Sequence, residues 1–201
     1  MDEAWSPPRE RPYEVLAVAS SAGGVAALSY LFSHLSEGLP VPVLVVQHLD
    51  PRHETLLAQV LSRRTTLRVT LAAGQEMPEP GVVYIAPPDH HLLVGDDGRL
   101  ALSSSELVHF VRPSADLLFE SVAGAYGDRA IVCVLTGSGS DGAMGVTAVH
   151  SRGGTVVVED PATARFTGMP NAAIATGDVD FVLPLTEIPD ALGHLVAARR
   201  D

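Results

Sequence analysis

Three polar residues with complementary chemistry each follow a short run of apolar residues in this sequence: Ser21, His48 and Asp141. A serine hydroxyl becomes a strong nucleophile when a neighbouring base takes its proton, and the histidine imidazole titrates near neutrality. A carboxylate behind the imidazole fixes its tautomer and stabilises its protonated form. The three residue types therefore predict a hydrolytic catalytic triad, provided that the fold brings them together.

The segment around the serine is compatible with a turn that exposes a nucleophile. Residues 19–23 read ASSAG, close to the G-x-S-x-G pattern of such turns, and the glycines that follow the serines allow a tight turn with free backbone N–H groups. Adjacent side chains point in different directions, so only one of Ser20 and Ser21 can face His48. The chain order Ser, His, Asp differs from that of the α/β-hydrolases, so that particular fold is not predicted.

The loop that contains Asp141 supports two further interpretations. Residues 137–142 read GSGSDG, a G-x-G-x-x-G pattern, and Glu159 and Asp160 lie near the spacing of a ribose-binding carboxylate. A dinucleotide site is therefore an alternative, although a carboxylate inside the loop would repel a pyrophosphate. An Asp before Gly is also common as a helix cap, which would give the residue a structural role only.

The histidine pairs and the single cysteine do not match the patterns of a metal site. His48 with His53, or His90 with His91, could supply metal ligands, but neighbouring residues of a strand face opposite sides and no spacing matches a zinc site. Cys133 lies in the most apolar segment and is predicted to be an inert core residue.

Composition excludes several classes of function. A hydrophobic content of 46% over 201 residues suits one domain with its own core. The net charge of −11 argues against nucleic-acid binding, which needs a basic face. All 13 basic residues are arginines, so lysine-dependent Schiff-base and Walker A chemistry is absent. No apolar run is as long as a membrane helix and the first residues do not resemble a signal peptide, so we expect no membrane insertion and a cytoplasmic location.

Strand and helix patterns alternate along the chain after a polar, proline-rich segment at 1–12, which we expect to be a tail or linker stub. Apolar runs predict strands at 13–19, 41–47, 67–72, 130–136, 155–160 and 180–184. Helical spacing predicts helices at 23–35, 53–64, 113–126, 142–154, a short one after Pro170, and 186–200. Shorter segments at 82–87, 90–95 and 99–104 predict an inserted β-hairpin or meander near 82–104.

This alternation predicts a single α/β domain over residues 13–201. Its sheet would be doubly wound and mostly parallel, with helices on both faces. Parallel strands end at one edge of such a sheet, so the residues that follow them would meet there. The fold class therefore places Ser21, His48 and Asp141 at one site.

Six ordered segments resemble the catalytic domain of CheB-type chemoreceptor protein-glutamate methylesterases. They are VLAVASSAGGVAAL (15–28), VLVVQHLDPRHETLLAQVL (43–61), PGVVYIAPPDHHLLV (80–94), RPSADLLFESVA (112–123), VLTGSGSDGAMGV (134–146) and FTGMPNAAIATGDVDFVLPLTEI (166–188). The resemblance is specific because generic α/β folds do not require segments such as YIAPPDHHL, RPSADLLFESVA or TGMPNAAI.

The resemblance implies that Ser21 is the nucleophile, His48 the general base and Asp141 the carboxylate behind it. It further implies demethylation of glutamate methyl esters, and deamidation of glutamine, on the cytoplasmic region of methyl-accepting chemoreceptors, without a metal or organic cofactor. The departures from the family pattern include Ala22, which stands where a Thr is usual, and Ser138, which stands where a Met is usual. These changes leave a non-catalytic interaction module of the same fold as an alternative.

The resemblance also concerns regulation. Family members usually carry an N-terminal receiver domain whose phosphorylation relieves inhibition, and twelve residues cannot form one. We therefore expect a stand-alone esterase domain that is either constitutively active or controlled by a regulator that acts in trans.

Overall fold

The computed structural model describes residues 12–48 and 55–197. Its strands are β1 (Val15–Ser20), β2 (Val43–Gln47), β3 (Arg68–Leu71), β4 (Val82–Ile85), β5 (His91–Val94), β6 (Leu100–Ser103), β7 (Ala130–Val134), β8 (Thr155–Glu159) and β9 (Phe181–Leu183). Its helices are α1 (Gly24–His34), α2 (Leu57–Ser62), α3 (Ala115–Tyr126), α4 (Ala143–Ser151), α5 (Gly168–Ala175) and α6 (Ile188–Ala197). The predicted strand and helix order is confirmed, with ends that differ by a few residues. The tail over 1–12 stays a prediction, because residues 1–11 lie outside the described ranges.

Seven strands form one parallel sheet in the order β3-β4-β2-β1-β7-β8-β9. The five central strands of this sheet are buried at every residue; they are β4, β2, β1, β7 and β8. Helices α1, α2 and α6 pack on one face, and α3, α4 and α5 on the other. Strands covered on both faces have no polar side, which is why their sequences read as continuous apolar runs. The doubly wound α/β fold predicted from the sequence is confirmed.

The extent of the inserted hairpin was predicted wrongly. Residues 82–85 form β4 and lie between β2 and β3 in the main sheet, so only β5 and β6 form the antiparallel hairpin. The strand β4 is short, but all its residues are buried, as in the other central strands. The helix predicted after Pro170 also begins earlier, at Gly168, because proline is tolerated in the first helical turn, where N–H groups have no partner within the helix.

The topology creates a switch point beside β1. The strands β2, β3 and β4, which follow β1 in the chain, all lie on one side of β1 in the sheet. The later strands β7, β8 and β9 lie on its other side. Loops that leave neighbouring strands in opposite directions open a crevice at the carboxyl ends of the strands. The turn after β1 and the loop after β7 line this crevice. Within the described residues, no helix combines the length and apolarity needed to cross a membrane.

Close contact between α3 and α4 links the fold to this crevice. A Cβ atom on Gly145 of α4 would lie 2.5 Å from the Cβ of Phe119 and 3.2 Å from the Cα of Asp116. The two helices can therefore approach this closely only because residue 145 has no side chain. The first turn of α3 is held against the beginning of α4 as a result.

We expect Gly145→Ala to lower the free energy of unfolding by roughly 1–3 kcal/mol, because the added methyl group must push α3 and α4 apart. The matched control is Gly124→Ala on α3, where a Cβ would meet nothing within 4 Å. That change should raise stability by about 0.5–1 kcal/mol through helix propensity. Urea unfolding of both variants measures the difference, and equal effects would refute the packing constraint.

Candidate active site

The two serines that follow one another at the end of β1 have different environments. Ser20 is fully buried, and its hydroxyl donates to Oε1 of Gln47 at 2.7 Å. Ser21 is half-buried and lines an open depression of about 330 Å³ together with the first turn of α1 and Arg165. Because the Ser20 hydroxyl is held inside the sheet, Ser21 is the serine that a ligand can reach.

Hydrogen bonds and glycines fix the turn that presents Ser21. Its backbone N–H donates to the carbonyl of Thr136 at 3.0 Å, and Gly24 N–H donates to the Ser21 carbonyl at 2.8 Å. Gly23 adopts a φ of 77°, and a Cβ on Gly24 would lie 2.0 Å from Gln47 Oε1. The chain therefore needs glycine at both positions to turn sharply from β1 into α1.

Gln47 joins the turn after β1 to the end of β2. Its side-chain amide donates to the carbonyls of Ser21 and His48, both at 2.9 Å. Gln47 is paired in register with Ser20, so Ser21 and His48 follow paired positions on neighbouring strands. Neighbouring strands are about 4.8 Å apart, which places these two residues side by side at the carboxyl edge of the sheet.

His48 reaches from the end of β2 to the loop after β7 and contacts Asp141. Its Nε2 lies 2.7 Å from Oδ2 of Asp141, and the two side chains are 13% and 3% exposed. An ionised carboxylate can only accept hydrogen bonds, so Nε2 carries the proton of this contact. In the neutral ring, Nδ1 is then the nitrogen able to accept a proton.

The carboxylate of Asp141 is bound by the amino end of α3. It accepts hydrogen bonds from Ser114 Oγ at 2.8 Å, Ala115 N–H at 2.6 Å and Asp116 N–H at 3.1 Å. These N–H groups have no partner within the helix, and the helix dipole favours a negative charge there. Burial alone would raise the pKa of Asp141, but the hydrogen bonds from His48 and from the helix lower it below its usual value. Asp141 is therefore held as an anion behind the imidazole.

A second buried carboxylate lies next to the first. Asp116 is 2% exposed, and its Oδ1 accepts hydrogen bonds from the N–H groups of Gly142 and Gly145, both at 2.9 Å. Burial raises the pKa of Asp116, the Gly145 and Gly142 N–H groups oppose this shift, and the negative charge of Asp141 adds to it. Its Oδ2 faces Nε2 of His109 at 3.4 Å.

The structure does not support the dinucleotide interpretation of residues 137–142. Glu159, which would have bound a ribose, is 1% exposed and accepts a hydrogen bond from Thr136 N–H at 2.8 Å. The side chain of Asp160 accepts a hydrogen bond from Ala162 N–H within a local turn. The one carboxylate inside the loop, that of Asp141, is hydrogen-bonded to His48 and to the amino end of α3.

The other candidate residues have structural environments. Both ring nitrogens of His91 form hydrogen bonds: Nδ1 accepts from Ser114 N–H, and Nε2 bonds the Glu106 carbonyl. The ring of His90 bonds the Pro88 carbonyl. Cys133 is fully buried, which raises its thiol pKa, as expected for a core residue. His53 lies outside the described residues, and within residues 12–48 and 55–197 no group of three or more His, Cys, Asp or Glu side chains could hold a metal ion.

Sequence reasoning missed the residues that orient the site. Pro113 and Ser114 were recognised as the start of a helix, but not as the donor group for Asp141. A helix start that faces the crevice is a ready anion site, so the signal was present once the sheet order was known. Gln47 gave no signal, because its role depends on the register between β1 and β2.

We expect Asp141→Asn to lower the free energy of unfolding at pH 7 by roughly 2–4 kcal/mol, because the new amide group would face N–H donors. The folded-state pKa of Asp141 is lowered, so its stabilisation is present above the unfolded pKa, near 4, and is lost as pH falls through the folded value. Urea unfolding between pH 7 and pH 3 should show the two proteins converging at acid pH. The control is Asp97→Asn, an exposed carboxylate, which should change stability by less than about 0.5 kcal/mol. A difference that persists unchanged at pH 3 would contradict the buried anion.

Known proteins share the sequence pattern and the fold of this chain. The statistical model of the CheB methylesterase family matches residues 16–192. The crystal structure of the Thermotoga maritima CheB methylesterase catalytic domain superposes with a TM-score of 0.87 at 37% identity, covering 92% of this chain and 99% of that one.

Curated relatives fall into two groups by length. A Leptospira interrogans relative is 37% identical over 178 residues, which are 89% of this chain and 92% of that protein. The protein-glutamate methylesterase FrzG of Myxococcus xanthus is 39% identical over 190 residues, which are 94% of this chain but only 56% of FrzG. The match thus covers nearly all of some relatives and about half of others. On both the family match and these identities, the chain belongs to the CheB methylesterase family.

Proposed function

We propose that this chain is a hydrolase that removes methyl groups from glutamate γ-methyl esters on proteins and releases methanol. The observation that carries this function is the His48–Asp141 pair beside Ser21 at the carboxyl edge of the sheet. The curated relatives named protein-glutamate methylesterase support the choice of ester.

The reaction would proceed through an acyl-enzyme. Ser21 Oγ attacks the ester carbonyl while its proton passes to Nδ1 of His48, and Asp141 stabilises the resulting imidazolium. Collapse of the tetrahedral intermediate breaks the bond to the methoxy oxygen, which leaves as methanol with the proton from His48. Water then attacks the acyl-enzyme with the same base and releases glutamate and free Ser21. No step needs a metal or an organic cofactor.

Backbone N–H groups on both sides of Ser21 are candidates for the oxyanion hole. Those of Ala22 and of Ser138–Gly139 flank the serine, and residues 138–140 are exposed at the edge of the site. Gly139 has a φ of 86°, and the absence of a side chain at Gly168 lets that residue pack against the turn, where a Cβ would lie 2.8 Å from Gly139 N. Because the donors are backbone groups, a serine at position 138 keeps them available.

The same acyl-enzyme can form from a glutamine side chain, with ammonia as the leaving group, as in relatives named protein-glutamate methylesterase/protein-glutamine glutaminase. We propose the cytoplasmic region of a methyl-accepting chemoreceptor as the substrate, which places the protein in the cytoplasm. Residues 13–201 would be the catalytic unit.

We expect Ser21→Ala to reduce methanol release from a methylated chemoreceptor by at least about 10³-fold, because the nucleophile is lost. Ser20→Ala is the matched control and should retain far more turnover than Ser21→Ala, because the buried Ser20 hydroxyl supports Gln47 and cannot reach a ligand. A fluorophosphonate probe followed by peptide mapping should label Ser21. Undiminished activity of Ser21→Ala, or a label on Ser20, would refute the assignment, and a wild-type protein without turnover would favour a non-catalytic interaction module.

A further inference from the structure

We propose that the turn Val108–Val111 docks the protein substrate and that Phe110 is its anchor. This inference rests on the proposed function and concerns the protein that carries the ester. The turn follows the β5–β6 hairpin and precedes α3, the helix that binds Asp141. It is not part of the catalytic residues described above.

The turn has an unusual backbone for its residues. Val108 and Val111 exchange both backbone hydrogen bonds, at 3.2 and 2.9 Å, which leaves His109 and Phe110 as the two central residues. Both have positive φ, 48° and 65°. Two-residue turns of this kind favour Asn and Gly, because a bulky side chain is strained in the left-handed region. Strained backbone persists where the surrounding structure enforces it, and it is concentrated at functional sites.

The side chain at the tip points away from the protein. Phe110 is 94% exposed, the highest value among the large hydrophobic residues that the structure describes. A phenylalanine with an unfavourable backbone conformation and an exposed side chain buries little apolar surface, so it does not stabilise the free protein. Aromatic residues of this kind are typical anchors of protein–protein interfaces.

The base of the turn is held rigidly. Arg112 donates to the carbonyls of Ser104 and Ser105 and to the carboxylate of Asp89. On the other side of the turn, the Glu106 carbonyl is bound by His91, a fully buried residue. A loop fixed in this way loses little conformational entropy when it binds a partner.

The tip is connected to the active site through two carboxylates. His109 faces Oδ2 of Asp116 at 3.4 Å, and the backbone N–H of Asp116 donates to Asp141 at 3.1 Å. Asp141 in turn contacts His48. The turn is therefore anchored to the same helix end that binds the carboxylate of Asp141.

Other exposed apolar residues lie close to Ser21 and Asp141. Val25 lines the depression at Ser21, Phe166 lies against Gly23, and Met144 stands in the first turn of α4 just after Asp141. Together with Phe110, whose turn contacts α3 through His109 and Asp116, they are exposed apolar side chains on the elements that hold Ser21 and Asp141. A methyl ester alone is too small to cover side chains spread over several elements, whereas a protein surface that presents the ester can cover them. We therefore assign the substrate protein as the occupant.

The test measures binding separately from turnover. In a Ser21→Ala background, so that the ester survives, the dissociation constant for a methylated cytoplasmic chemoreceptor fragment is measured with and without Phe110→Ala. We expect this change to weaken binding at least tenfold. The matched control is Phe181→Ala, which removes a phenylalanine that is 43% exposed at the beginning of the edge strand β9 and should change binding less than twofold. Equal effects of the two variants, or no binding of the fragment at all, would overturn the docking role.

A third variant tests the strained turn. Phe110→Gly removes the anchor and relieves the positive φ, so it should raise the Tm while weakening binding as Phe110→Ala does. A lower Tm or unchanged binding would contradict the inference. With active Ser21, Phe110→Ala should raise KM for the methylated fragment and leave kcat within twofold. Loss of methanol release in every protein, including the wild type, would instead refute the esterase function, whereas the binding measurements would still decide the docking role.

Discussion

The site depends on one interaction, the binding of the Asp141 carboxylate by the amino end of α3. That helix end supplies two backbone N–H groups and the Ser114 hydroxyl. Burial alone would raise the pKa of the Asp141 carboxyl, but the hydrogen bonds from His48 and from these N–H groups lower it. The anion then accepts the Nε2 proton of His48 and leaves Nδ1 free to act as a base. Every residue that fixes α3 against the sheet therefore also fixes the imidazole.

The neighbouring carboxylate Asp116 contacts both the loop that contains Asp141 and the turn that exposes Phe110. Its Oδ1 binds the N–H groups of Gly142 and Gly145, which ties the loop containing Asp141 to α3. Its backbone N–H binds Asp141, and its Oδ2 faces the turn that exposes Phe110. Burial raises the pKa of both acids. For Asp141 the hydrogen bonds from His48 and two backbone N–H groups outweigh burial and lower the pKa, whereas for Asp116 the N–H groups of Gly145 and Gly142 do not offset burial and the charge of Asp141, so its pKa stays raised. The same few residues thus join the proposed catalytic centre to the surface that a protein substrate would meet.

Much of this arrangement could be predicted from the sequence. The apolar runs gave the strands because the central strands are buried on both faces, and the alternation with helices gave the parallel sheet and its single active edge. The position of β4 could not be predicted, because a buried four-residue strand looks the same in a hairpin and in a parallel sheet. The family resemblance favoured Ser21 over Ser20, but the residue pattern alone did not distinguish them, since their exposure depends on where β1 ends. The roles of Gln47 and Ser114 arise from register and helix orientation, which no local pattern encodes. The catalytic roles of Ser21, His48 and Asp141 stay predictions that the geometry supports.

The most direct measurement of the central interaction is the ¹⁵N NMR spectrum of the His48 ring at neutral pH. With Asp141 held as an anion against Nε2, the neutral ring should carry its proton on Nε2 and leave Nδ1 unprotonated. Loss of the carboxylate in Asp141→Asn should shift this tautomer preference. A wild-type ring protonated mainly on Nδ1, or a spectrum unchanged by the substitution, would contradict the role of Asp141 in orienting the base.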